Sequence, residues 1–265
     1  MPHKKSSLIS EKRSGELLHT KHAFPPNTLG YCGPDVRGKI SEYLHGSSDG
    51  ESLLSILTKF EAAYPFVKMI AKSTGRNPFD YEVTEAYWIG NSLLDLVEPQ
   101  NFFEFSYGDL TKSRQMASKR DGIRKAEVKS LFKRVGEIAR PHHTFYVLGM
   151  YARSSEISGK SEKLLELMDS CRISWGKVIE VKRDTLVVER PPLMLAAEGL
   201  RLGQAKKQVI RYDPEIPPFS SLRSGDTVSI HWNFASEKLK PSQTRNLKRY
   251  TALDILAANK VAAIS

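Results

Sequence analysis

Residues 171–181, C-R-I-S-W-G-K-V-I-E-V, carry the strand signal on which the fold of this chain depends. From Ile173 onward the side chains alternate between two sets, which is the period of a strand with two different faces. A second stretch, residues 225–239, reads G-D-T-V-S-I-H-W-N-F-A-S-E-K-L. It opens with a Gly-Asp turn, continues with the same alternation and places His231 where the strand ends. A thiol, Cys171, and an imidazole are therefore both predicted at strand ends.

Further strand signals surround these two stretches. Residues 186–189 follow a turn at Asp184, and residues 209–212 form another short apolar run. Several short strands separated by turns predict a small barrel, here of the oligonucleotide-binding (OB-like) type. Ser161 starts a short helix that leads directly into Cys171, and Pro241 opens a last helix with one apolar side.

The first half of the chain is predicted to be mainly helical. One helix begins near Pro34, a second runs from residues 49–52 through a kink at Pro65, and a third begins near Asp80. Gly90 in the third helix is expected to permit a close helix crossing. The predicted fold class is α+β, with a helical domain over residues 23–157 and a barrel domain with a C-terminal helix over residues 161–265.

Four segments are predicted to lie outside helices and strands or to be extended. Residues 1–22 are basic with little apolar pattern and predict a flexible tail. Residues 24–34, with three prolines and two glycines, predict an ordered loop that holds Cys32 at a fixed place. Residues 101–109 are aromatic and predict an extended segment, and residues 152–160 are a small polar linker.

Length and composition limit the class of protein. The chain has 265 residues, of which 40% are hydrophobic, enough for one domain of about 130 to 140 residues and another of about 100. It contains no run of eighteen apolar residues, and its N-terminus lacks the apolar region of a secretory signal. Two cysteines are too few for a disulfide framework. These features predict a cytoplasmic protein with free thiols.

The positive charge is concentrated in one segment. The net charge is +10, and residues 111–140 contain ten Lys or Arg and three acidic residues. Residues 121–140 form an amphipathic helix pattern with Lys125, Lys129, Lys133 and Arg134 on its polar face. Such a face is usually a solvated surface, and an acidic protein partner or RNA are the alternatives.

Two adjacent histidines follow this segment. His142 and His143 stand in P-H-H-T-F-Y-V-L-G-M-Y, which predicts a strand that starts at the proline. Neighbouring residues of a strand point to opposite faces, so at most one of the two is expected to bind a metal. The alternative is that each histidine is structural and only forms hydrogen bonds. For Cys32, the alternative to a fixed functional thiol is a small buried hydrophobic residue.

The two stretches around Cys171 and His231 resemble the HypC/HupF family of small hydrogenase assembly chaperones. The residues that match the family's two motifs are Cys171, Gly176, Lys177, Val178, Gly225, Asp226, Val228, His231, Phe234, Ala235, Glu237, Lys238 and Leu239. The resemblance covers about the last ninety residues. Ser174 and Trp175 replace the family's Ile-Pro pair, and Cys171 lies inside the chain instead of near its start.

The resemblance implies a non-catalytic assembly chaperone for [NiFe]-hydrogenase. In that family the cysteine is thought to hold an iron fragment that carries cyanide and carbon monoxide. Cys171 would take this role, and His231 would be a second ligand, a proton acceptor or a group that orients the thiol. The implied partners are the hydrogenase large subunit precursor and HypD-like maturation proteins. From sequence proximity alone, Arg172 and Lys177 are expected to favour the thiolate.

Other interpretations remain open. Cys171 is alternatively a core residue while His231 ends a strand, and the protein is alternatively a basic nucleic-acid-binding protein with an OB-like barrel. No Gly-rich phosphate loop, nucleophile elbow or paired zinc motif supports an independent enzyme. The segments around Cys32 and His142 resemble an uncharacterised microbial domain of unknown function, which implies no chemistry.

Overall fold

The structure is a computed structural model that describes residues 3–46, 50–102, 135–151 and 162–262. The expectations for the linker at 152–160, for most of the aromatic segment at 101–109 and for the basic face formed by Lys125, Lys129, Lys133 and Arg134 lie outside the described residues.

The described residues include eight bounded α-helices and seven strands, and residues 99–102 are also helical. The helices are α1 (His3–Thr28), α2 (Arg37–Leu44), α3 (Gly50–Leu57), α4 (Tyr64–Thr74), α5 (Tyr81–Trp88), α6 (His143–Tyr151), α7 (Glu162–Cys171) and α8 (Pro241–Ala262), with a 3-10 turn at Ser92–Leu96. The strands are β1 (Ser174–Val181), β2 (Thr185–Arg190), β3 (Leu193–Ala196), β4 (Gly199–Leu202), β5 (Lys206–Arg211), β6 (Thr227–His231) and β7 (Phe234–Lys238).

Five of the strands close into a barrel in the order β1-β2-β5-β7-β6. The pairs are antiparallel except β5 with β7, which is parallel. Gly176 faces the interior, where a Cβ atom would lie 2.8 Å from the Ile230 side chain and 2.9 Å from that of Val188. Strand β1 therefore needs glycine at this position. The mixed α+β class and the small barrel are confirmed.

The prediction of a flexible tail over residues 1–22 is wrong for the described part. Residues 3–22 belong to α1, which packs against α5 and also against β6 and β7. Leu18, His19 and His22 are buried. The local composition favours disorder here. Tertiary contacts with both halves of the molecule stabilise the helix nevertheless.

Helix α1 also continues through Pro25 and Pro26, so the prediction that residues 24–34 exclude a helix is wrong up to Thr28. Only residues 29–35 form the predicted turn. Proline has no N–H to donate to the carbonyl four residues earlier, so the carbonyls of Lys21 and His22 lack their usual helix donors. The site described below uses one of these two carbonyls.

Other helices differ from the prediction in their ends. A turn separates α3 from α4, and Pro65 lies in the first turn of α4 instead of kinking a single helix. Gly90 lies beyond α5 with φ +91°, and the ring of Tyr250 packs where its Cβ would be. Asp80 does precede α5, and Pro241 does open α8, as predicted.

Three predictions of extended structure are wrong. Residues 101 and 102 lie in a helical turn. His143 begins the helix α6 and does not lie in a strand, because the apolar run after it is buried against α5 and α8. Cys171 is the last residue of α7, three residues before β1. The β3–β4 hairpin was not predicted, since its residues lie in a segment rich in Leu and Pro.

No helix among the described residues is long and apolar enough to cross a membrane.

The helical half and the barrel are joined by an ion pair. Lys21 of α1 pairs with Glu237 of β7, and their side chains are 5% and 11% exposed. The division into domains over residues 23–157 and 161–265 stays a prediction, but in the intact chain the carboxylate of Glu237 in the barrel has its cationic partner in α1.

We expect Lys21→Ala to lower the free energy of unfolding by about 3 to 5 kcal/mol, because it leaves the Glu237 carboxylate buried without a counter-charge. Urea unfolding followed by circular dichroism measures this. The double variant Lys21→Met with Glu237→Gln removes both charges and should recover most of the loss. An equal loss in single and double variants would show that packing, not charge pairing, holds this junction.

Candidate functional site

The structure brings together Cys171, His143 and His231. One potential ligand atom from each, the sulfur and a ring nitrogen of each imidazole, lies within 4.8 Å of the other two. Cys171 ends α7, His143 begins α6 and His231 ends β6. The site is therefore built where the helical half meets the barrel.

His231 has one ring nitrogen bonded and one free. Its Nδ1 lies 2.7 Å from the His22 carbonyl oxygen, which can only accept, so Nδ1 carries the hydrogen. Nε2 then carries the lone pair, and it is buried with no hydrogen-bond partner among the described residues. Burial lowers the pKa of His231 to about 4, although the carbonyls of His22 and Cys171 oppose the shift. A neutral imidazole thus presents an unused acceptor inside the protein.

His143 has contacts at both ring nitrogens. Nε2 lies 3.0 Å from the Cys171 carbonyl oxygen, and Nδ1 lies 3.1 Å from the hydroxyl of Tyr87. The Tyr87 hydroxyl also donates to the Ala62 carbonyl at 2.9 Å. Burial holds the pKa of His143 well below its usual value and that of Tyr87 well above its own. Both groups are therefore neutral at pH 7.

The thiol of Cys171 is protonated when no cation is near. Burial, and to a smaller extent the neighbouring Cys32, raise its pKa to about 12, while the Trp232 side chain opposes this. The expectation that Arg172 and Lys177 favour the thiolate is wrong. Arg172 is fully buried and bonded to Asp169 and the Pro191 carbonyl, and Lys177 is exposed on β1.

Trp232 closes one side of the site. It forms, with Asn233, a two-residue hairpin between β6 and β7 in which both residues have positive φ, 51° and 59°. This backbone is unfavourable for a bulky side chain. The backbone N–H of Trp232 donates to the Ser170 carbonyl at 2.8 Å, and the ring of Tyr31 stacks on the indole with 4.3 Å between the ring centroids. The hairpin therefore anchors Trp232 beside Cys171.

The remaining candidates lie beside this set or elsewhere. Asn27 donates to the carbonyls of Cys32 and Pro34, which fixes the loop as expected, and Cys32 is half-buried. Cys32 interacts electrostatically with Cys171 but is not among the three close ligands. His142 points away from the site: its Nδ1 bonds to the Asp254 carboxylate at 2.6 Å.

Sequence reasoning missed the groups that surround the site. Helix α1 contributes His19 and His22 to these surroundings, and α5 contributes Tyr87 and Trp88. The ring of Trp88 contacts those of His22, His143 and His231. The sequence offered one signal for a helix here, since Leu18 and His22 are four residues apart, as on one face of a helix. Pro25 and Pro26 argue against a helix, so this signal was not followed.

A groove of about 440 Å³ opens on the surface beside Trp232. Its lining includes Phe24 of α1, Leu29 just after α1, Val209 of β5, and the acidic residues Asp184 and Asp213. Leu29 is 54% exposed and Val209 60% exposed. Trp232 lines this groove and also adjoins the thiol, so the surface and the buried site share one side chain.

Comparisons with known proteins assign a family but no activity. The model of the Family of unknown function (DUF6390) matches residues 11–264, and the chain belongs to this family. The match covers the barrel as well as the N-terminal part that was expected to belong to such a family. No match to the HypC/HupF family was found, so that resemblance stays a prediction. No curated protein and no solved structure matched.

We expect stability to fall as the pH is lowered from 6.5 to 4. Burial lowers the pKa of His19 to about 3 and of His231 to about 4, and also lowers that of His22 and His143. The unfolded chain, whose histidines titrate near 6.5, then binds more protons than the folded one. Each such histidine contributes a slope of up to about 1.4 kcal/mol per pH unit in that window.

Urea unfolding at a series of pH values tests this. His19→Phe keeps an aromatic ring and should flatten the slope by one histidine's share. A free energy of unfolding that does not change between pH 6.5 and 4 would contradict the neutral burial of these imidazoles.

Proposed function

We propose that this member of a family of unknown function is a non-catalytic assembly chaperone for [NiFe]-hydrogenase, in which Cys171 holds an iron fragment as cargo and His231 acts as second ligand. The observation that carries the proposal is His231 Nε2, which lies beside the Cys171 thiol and has no partner in the part of the chain that the structure describes. Residues 171–181 and 225–239 match the two motifs of the hydrogenase chaperones, and the same two motifs supply these two side chains.

The donor chemistry fits such a cargo. Thiolate and imidazole suit thiophilic transition metals, among them low-spin iron. His231 donates its other N–H to a backbone carbonyl, an arrangement that metal-binding histidines commonly have. A cation displaces the thiol proton, so a thiol with a pKa of about 12 is inert until the cargo arrives.

The same pKa argues against a cysteine enzyme. A nucleophilic cysteine needs a lowered pKa, which positive groups or a helix N-terminus supply. Cys171 instead ends a helix, and its pKa is raised. A holding role therefore agrees better with this site than covalent catalysis.

The strand order of the barrel supports the predicted OB-like type. Along the chain, the first to fifth barrel strands are β1, β2, β5, β6 and β7. Around the barrel they follow the order first, second, third, fifth and fourth, and the third and fifth are parallel, as in an OB-like barrel. On OB-folds ligands bind to the face of the second and third strands and to the loops after the first and fourth. The groove lies on this face: it contains Asp184 from the first loop, Val209 from the third strand and Trp232 from the last loop.

This position also favours the alternative, a nucleic-acid-binding protein, but the lining of the groove does not. Two carboxylates, of Asp184 and Asp213, outnumber the one guanidinium of the lining, that of Arg211, so the groove has no excess of positive charge for phosphates. The Trp232 ring is already stacked on Tyr31. Leu29 and Val209 offer apolar surface instead. We therefore assign the groove to an apolar segment of the hydrogenase large subunit precursor.

We expect Cys171→Ser to abolish hydrogenase maturation while the protein still folds. Serine has nearly the same volume, but its hydroxyl is a hard donor that stays protonated at neutral pH. Hydrogenase activity in a strain that lacks this protein and carries the variant is the measurement. Cys32→Ser is the matched thiol control and should restore activity. Full activity with Cys171→Ser would refute the cargo role.

We expect Val209→Glu to weaken co-purification of the large subunit precursor at least about tenfold, since a charge replaces an apolar contact in the groove. Leu195→Glu changes an aliphatic residue of β3 that is 40% exposed and should have no effect. If Val209→Glu instead weakens binding of a single-stranded oligonucleotide and leaves the precursor bound, the nucleic-acid alternative is favoured.

A further inference from the structure

We infer that His143, contributed by the helical half, is the third ligand of a metal site completed by Cys171 and His231, and that this site takes one divalent late first-row transition ion. The inference rests on the proposed function only in locating the site, because it concerns the chain's own affinity for a metal and holds whether or not hydrogenase is the client.

The first step is the fixed tautomer of His231. Pro26 cannot donate to the His22 carbonyl, and His231 Nδ1 donates to that carbonyl instead, at 2.7 Å. The lone pair is therefore on Nε2, which is buried and has no partner among the described residues. An unpaired buried acceptor is destabilising, so a bound cation would remove a penalty that the protein otherwise carries.

The second step is a count of hydrogens around His143. Three contacts connect the Ala62 carbonyl to the Tyr87 hydroxyl, the hydroxyl to His143 Nδ1, and His143 Nε2 to the Cys171 carbonyl. The tyrosine and a neutral imidazole supply only two hydrogens for these three contacts. A third hydrogen would require an imidazolium, which burial disfavours.

The two hydrogens can be placed in two ways, because the Ala62 and Cys171 carbonyls can each only accept. With Nε2–H donating to the Cys171 carbonyl, Nδ1 accepts from the Tyr87 hydroxyl and the Ala62 carbonyl loses this donor. With the Tyr87 hydrogen on the Ala62 carbonyl, Nδ1–H donates to the tyrosine oxygen and Nε2 keeps a lone pair. A cation at Nε2 selects the second placement, in which both imidazoles have the arrangement of metal ligands, with Nδ1–H held by an oxygen.

The third step is distance and charge. With metal–sulfur near 2.3 Å and metal–nitrogen near 2.1 Å, ligands of one tetrahedral ion lie roughly 3.5 Å apart. The three atoms, already within 4.8 Å of each other, need to move by only about 1 Å. Two neutral imidazoles and one thiolate leave a divalent ion with a position free for a further ligand, as in sites that exchange their contents.

The test is a titration of the full-length, metal-free protein with Co²⁺ alone, followed by the thiolate-to-cobalt charge-transfer band. We expect one Co²⁺ per chain, with the band lost in Cys171→Ser and kept in Cys32→Ser. His143→Gln should weaken binding roughly 10- to 100-fold or more, and Tyr87→Phe, which removes the oxygen that holds Nδ1–H, by a similar factor.

The outcomes separate the two claims. If His143→Gln and Tyr87→Phe bind Co²⁺ like the wild type while Cys171→Ser does not, the third ligand is refuted and the proposed function stands. If the wild type gives no charge-transfer band, the metal site is refuted altogether. Should His143→Gln fail to fold, the ¹⁵N shifts of the wild-type imidazoles decide: Zn²⁺ must shift Nε2 of both His143 and His231, and an unchanged His143 overturns the inference.

Discussion

The hydrogen bond from His231 Nδ1 to the His22 carbonyl is the interaction on which the site depends. It exists because Pro26 leaves that carbonyl without its donor inside α1. The same helix turn provides His22 Nε2 for the Ser229 hydroxyl and Lys21 for Glu237. One turn of α1 thus fixes both the tautomer of the site histidine and the position of the barrel strand that carries it.

This arrangement makes the site a property of the whole chain. Cys171 and His231 come from the barrel side, whereas His143, Tyr87 and the His22 carbonyl come from the helical side. The family match spans both parts, residues 11–264. The barrel supplies a soft donor, and the helical half supplies the hydrogen bonds that direct the imidazoles toward it. In the proposed chaperone role, the helical half would add a ligand that the barrel alone does not offer.

The sequence allowed good prediction where periodicity reports burial directly. The alternation around Ile173 and Val228 predicted β1 and β6, and the apolar side of α8 was visible from Pro241 onward. It failed where tertiary contacts decide. Pro25 and Pro26 indicate a break in a helix, but α1 is buried between α5 and the barrel and continues through them. A pairing such as His22 with His231, separated by more than two hundred residues, leaves no local pattern.

The adjacent histidines show why residue type alone does not define a ligand. Successive residues at the start of a helix point in directions about 100° apart. His142 therefore faces α8 and bonds to the buried carboxylate of Asp254, whereas His143 faces the barrel and Cys171. Among the described residues, His142 Nε2 and Asp254 Oδ1 also lack partners, but these atoms are nitrogen and oxygen. His143 lies beside the sulfur of Cys171, which a soft metal prefers, and we therefore propose the metal site at His143 and not at His142.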